Sequence, residues 1–210
     1  MDIGQVIQIN YPVFTMASFK EFTPSKTISF LKRLDKHNVP HSFNPKATKV
    51  LGQNISFADG WMRIDCEDFS EMPHQKSIYL ANDMTIIPLS YTPTPLDNVF
   101  KTMPVAVNDN NVIDYLSLYF LAFVQNGERL KPVFHTDDIQ WQDDLSPMLR
   151  KSLELDFSKY PRIQNINNNY MVELLCVFRQ SIMAISCEVH ADGHVDVVDR
   201  IVITDDLPIQ

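Results

Sequence analysis

His190 and His194 stand on either side of Ala191-Asp192-Gly193, and of all residues in the chain their types and spacing come nearest to chemistry. In the flanking runs the apolar residues fall on odd positions: Met183, Ile185, Cys187 and Val189 before the loop, Val195, Val197, Ile201 and Ile203 after it. Residues that face each other across an antiparallel ladder share a side of the sheet, so the two odd sets coincide only when the loop has an odd length. Ala191-Asp192-Gly193 then forms a three-residue hairpin loop with glycine at its left-handed position. His190 opposes His194 on the other face, with Cβ atoms about 5 Å apart and with Glu188 and Asp196 nearby. Two imidazoles and a carboxylate can hold zinc, which makes His190 and His194 candidate metal ligands. The same pattern describes two partly exposed histidines at a hairpin tip, and spacing fixes no third ligand.

The other titratable clusters read more simply. His135, Asp137, Asp138, Asp143 and Asp144 lack the glycine and the alternating ligand positions of a calcium loop, and read as a solvated acidic loop. Asp65, Glu67, Asp68 and Glu71 receive the same reading. The five glycines are dispersed, so no phosphate-cradling loop or dinucleotide fingerprint is present. There is no GxSxG elbow, HExxH or kinase signature, and nothing in the spacing sets a histidine beside Cys66 or Cys176. No catalytic residue and no cofactor is assigned, and the chain reads as more binding protein than enzyme.

The elements that must position these groups are an α+β set. Thr23-Pro24-Ser25 before Ile28, Leu31 and Leu34 predicts a helix from about 24 to 37. Its Lys26, Lys32, Arg33 and Lys36 form the best basic concentration in the chain and read as a solvated helix face. Ile55–Phe57 and Trp61–Ile64 around Ala58-Asp59-Gly60 predict a hairpin, as do Lys76–Leu80 and Met84–Leu89 around Asn82-Asp83. Asn108-Asp109 caps a helix from about 110 to 125, apolar nearly all round and therefore central to the core. A strand near Lys131–His135 and a short helix from about 146 to 155 follow. Three β-runs near 170–179, 181–190 and 194–203 close the chain as an antiparallel meander packed on the central helix.

Pro88, Pro93, Pro95 and Pro104 make the segment 88–104 an extended connector, because proline fixes φ and removes a donor. The chain reads as a single domain over 1–210, with subregions 1–90 and 105–210 on either side of that connector. Tyr91, Leu96, Val99 and Phe100 are the candidate partner-binding residues of the connector, with a packed crossover as the alternative reading. Ile86-Ile87-Pro88-Leu89, Thr92-Pro93-Thr94-Pro95 and Asn110-Asn111-Val112-Ile113-Asp114-Tyr115-Leu116 resemble the PL-T-SP stretch and ENVLDYL helix opening of a family of uncharacterised alphaproteobacterial proteins of about this length. The resemblance extends loosely over the last two thirds of the chain, resuming at Ala191-Asp192-Gly193, Asp199 and Asp206-Leu207-Pro208. It implies no activity, cofactor or site residue. The chain departs from the family at Asp199-Arg200-Ile201-Val202, where an acidic run ending in proline is usual, and at His194, where the family carries an apolar residue.

A net charge of −8 opposes generic binding to nucleic acid or anionic membrane. Three cysteines without CxxC spacing read as reduced thiols, and neither a signal peptide nor an apolar run of spanning length is evident, so a cytoplasmic location is expected. The leading expectation is a noncatalytic protein-binding or assembly module, including self-association. The alternative is a small-molecule-binding protein or hydrolase with a pocket between the central helix and the sheet.

Overall fold

The computed structural model describes residues 18–89, 99, 102–122, 124–125, 128–142 and 144–209. The chain divides into two units between Val105 and Ala106, and in both the fold is α+β with antiparallel sheet.

In the N-terminal unit Thr23 caps α1 (Pro24–Lys36), its Oγ1 accepting from Lys26 N at 3.4 Å, with proline in the first turn. The helix ends where Asn38 turns left-handed at φ 53°. Its apolar positions Phe30, Leu31 and Leu34 recur at helical spacing and are buried against Val50, Ile64, Cys66 and Tyr79. Those residues come from a five-stranded meander of β1 (Lys20–Glu21), β2 (Thr48–Asn54), β3 (Met62–Asp68), β4 (Gln75–Ala81) and β5 (Ile86–Pro88), ordered as in sequence. The β2–β3 ladder begins earlier than the β-formers suggest: Ile55 and Trp61 close the loop through an N–H to carbonyl bond of 3.1 Å, and Gly60 takes φ 74° inside it. Pro88, expected to start the connector, instead ends β5 at the sheet edge, where a missing donor is tolerated.

In the C-terminal unit α2 (Val112–Ala122) begins where Asn108 O accepts from Val112 N, while the Asn111 amide reaches back to Asn108 N and Ala106 O. Seven of its eleven residues are buried, the condition expected of a helix apolar on most sides. Its Tyr115 hydroxyl donates to Gly193 O. Two short strands, β6 (Val124–Gln125) and β7 (Glu128–Arg129), follow it and pair with each other, β6 taking the place of the last residues of the helix expected to about 125. Ser146 and Pro147 open α3 (Pro147–Phe157), as the cap pattern predicts.

The C-terminal sheet is built on β10 (Asn169–Phe178). One edge of β10 pairs with β11 (Ser181–Val189), which pairs in turn with β12 (Val195–Thr204). The other edge is shared end to end by β8 (Lys131–Val133) on residues 175–177 and β9 (Arg162–Ile166) on residues 169–173. β9 is unanticipated; its signal is Asn167-Asn168, both at positive φ, the two-residue turn that matches strand twist. Leu175, Val177, Ile182 and Ala184 on one face of the sheet are buried with Leu153 and Phe157 of α3.

The odd-position register holds only near the loop. Val189 faces Val195 and Cys187 faces Val197, but irregularities between Ser186 and Cys187 and between Ile182 and Met183 add residues to β12. Ile201 therefore opposes Ala184, and Val202 takes the place opposite Met183. Each added residue moves the side chains that follow it to the other face, and Val198, Ile201 and Val202 are exposed on the outermost strand.

Candidate functional site

The α1 face that buries Phe30 and Leu34 carries Lys26, Ser29 and Arg33 along its border, three to seven residues apart and so on one side of the helix. Beside them a cleft of about 260 Å³ opens between α1 and the sheet. Its apolar wall consists of Phe22, Phe30, Met62, Ile64 and Ala81; its rim is formed by the three polar α1 residues together with Gly60 and the β4–β5 turn at Asn82-Asp83.

The rim is held from both sides. Asn82 Oδ1 accepts from Met84 N and Thr85 N at 2.9 and 2.7 Å, which closes the turn, and Arg33 Nη2 donates to Asn82 O at 2.6 Å and Asp83 O at 3.3 Å. Arg33 is half-buried, yet no carboxylate of the described residues lies within ion-pair distance of it. Lys26 Nζ sits 4.0 Å from the centre of the Phe22 ring and likewise has no acidic partner among the described residues.

Phe22 can lie against β2 because residue 52 is glycine. A Cβ there would come within 2.5 Å of the Phe22 ring and 2.9 Å of the Met62 methyl. Gly52→Ala is therefore expected to cost about 1–3 kcal/mol through overpacking, and to displace Phe22 and Met62, which line the cleft. Denaturant unfolding and a crystal structure of the variant check both effects.

The hairpin tip has the geometry expected from the sequence. His190 N donates to His194 O at 2.8 Å, Gly193 takes φ 88°, and the imidazole centres are 5.6 Å apart. The structure adds Asp196 as their common partner, one oxygen 3.1 Å from His190 Nε2 and the other 3.2 Å from His194 Nε2. Hydrogen bonding from His190, with the charge of His194, holds the Asp196 carboxyl below the usual aspartate range. Glu188 is turned elsewhere, accepting from Asn169. Among the described residues no group of three or more His, Cys, Asp or Glu side chains is arranged to hold a metal ion.

Val99 is buried, whereas Tyr91, Leu96 and Phe100 lie outside the described residues. His135 and Asp138 form the two halves of a capping box on a short 3-10 helix over residues 136–138, a structural use of that acidic loop. Asp68, expected to be solvated, is 3% exposed at the end of β3 and accepts from the N–H groups of Asn44 and Ser70 and from the Thr48 hydroxyl. Burial raises its pKa, but these donors together outweigh burial and bring it below the ordinary value. All three cysteines are buried, and burial pushes the Cys66 and Cys187 thiols up to about 12 and the Cys176 thiol upward as well, the opposite of an activated nucleophile. No helix among the described residues is long and apolar enough to cross a membrane. The chain matches no known protein family, no curated protein and no solved structure.

Proposed function

We propose that this chain is a noncatalytic binding protein and that its recognition site is the cleft between α1 and β3–β4. The observation that carries the reading is the combination in one concavity of an apolar wall with a fixed polar rim, the usual make-up of a small-ligand site. The site lies on α1 and not on the central helix where a pocket was expected from sequence. Three buried thiols suit work in a reducing compartment, in keeping with a cytoplasmic protein. Amide NMR of the protein with a panel of small amphipathic probes tests the reading. Shifts concentrated at Lys26–Arg33, Met62–Ile64 and Ala81–Asp83 support it, and shifts that avoid those residues at every probe concentration reject it.

A second reading, assembly with another chain, is favoured by Val198, Ile201 and Val202 exposed on the edge strand β12. Light scattering over a hundredfold concentration range distinguishes the two, since a constant monomer mass removes the self-association form of this reading.

A further inference from the structure

We infer that the cleft takes a small monoanion: a carboxylate on a short apolar body, its head at Arg33 and its body along Phe22, Met62 and Ile64, with Lys26 adding positive charge at the same opening. The inference rests on the binding reading above and specifies its ligand.

Charge comes first. Withdrawing a guanidinium from water without a carboxylate partner is costly, and Arg33 is half-buried. Here two backbone carbonyls orient Arg33 through Nη2, while Nε and Nη1 bond nothing else among the described residues. The cation is thus positioned and has no counter-ion among the described residues, in a protein of net charge −8. Lys26, seven residues earlier on the same helix side, adds a second positive charge at the same opening, and the Ser29 hydroxyl between them can donate to an oxygen. Asp83 stands on the opposite rim. Two cations and one carboxylate leave a single net positive charge, which suits one negative charge on the ligand and disfavours a dianion.

Size and polarity follow from the wall. A volume of about 260 Å³ falls below the roughly 300–1,000 Å³ of pockets for drug-sized molecules, so the ligand is small. Beyond the rim the cleft offers ring and aliphatic surface from Phe22, Met62 and Ile64, which rewards an apolar body.

Octanoate, 1-octanol and octylammonium share one chain and differ in head charge, so they separate the claims. Each is titrated into the full chain and followed by the amides of Ile64 and Ala81. Octanoate is expected to bind at least about tenfold more tightly than octanol, the size of one charge-assisted hydrogen bond, and octylammonium not at all. Arg33→Gln is expected to erase the preference for octanoate. Lys26→Gln, at an exposed side chain set over the Phe22 ring, is expected to reduce it about threefold without disturbing the β4–β5 turn, and keeps the test decisive if Arg33→Gln loosens that turn. Equal binding of octanol and octanoate, or a preference for octylammonium, overturns the monoanion while leaving the binding site in place. Failure of all three probes to move these amides overturns the inference and the binding reading together.

Discussion

Phe30→Ala is expected to lower the stability of the N-terminal unit by about 3–5 kcal/mol, the cost of deleting a fully packed aromatic ring. The ring is 3% exposed, meets Phe22 edge-on at 6.3 Å and Tyr79 at 5.8 Å, and joins α1 to the sheet. No neighbour can fill the space without breaking these contacts, so the cavity term adds to the lost transfer energy. The two tryptophans allow a direct reading: Trp61 is buried in the N-terminal unit, Trp141 belongs to the other, and Trp141→Phe leaves fluorescence as a probe of the first alone. Urea unfolding in that background should show the whole loss in the midpoint. A change below about 1 kcal/mol would mean that α1 does not seat on the sheet through this residue, and the cleft beside it would lose its wall.

Asp68→Ala should cost about 3 kcal/mol, although the residue is acidic and stands at the very end of a strand. Removing the carboxylate strands the N–H groups of Asn44, before β2, and Ser70, just after β3, while the Thr48 hydroxyl keeps Asn44 O at 2.7 Å. The effect has a pH signature. Because the folded-state pKa is lowered, ionised Asp68 stabilises the fold fully above its unfolded value of about 3.9, and the contribution fades as pH falls through the lower folded value. The gap between wild type and Asp68→Ala should therefore be constant from pH 7 to about 5 and shrink on further acidification. A gap that widens toward low pH would contradict the assigned donors.

Local signals carried the sequence reading a long way. Thr23-Pro24 and Ser146-Pro147 mark helix starts because capping is decided within four residues, and Gly193 marks the third position of its loop because only a left-handed residue fits there. The misses are places where a distant segment decides. Lys26 and Arg33 look like any solvated helix face until the β4–β5 turn brings its carbonyls to Arg33 from about fifty residues away. Asp68 looks like one more surface acid until Asn44 closes over it. The shift of Ile201 comes from irregularities that strict alternation cannot express, because an inserted residue leaves composition unchanged. His190 and His194 were placed correctly by parity alone, but their common partner Asp196 is a matter of rotamers and not of spacing.

The end-to-end sharing of one β10 edge has a kinetic consequence. β9, β10, β11 and β12 each pair with a neighbour in sequence, so their ladders close short loops and can zip early. β8 meets residues 175–177 only after the intervening α3 and β9 have been gathered in, and a longer loop carries a larger entropic cost of closure. During refolding the half of β10 next to β9 should thus be sealed before the half next to β8. In pulsed hydrogen exchange, Lys131 and Val133 would be the last amides of this sheet to become protected, and the C-terminal unit would pass through a state with one half-edge still open to solvent.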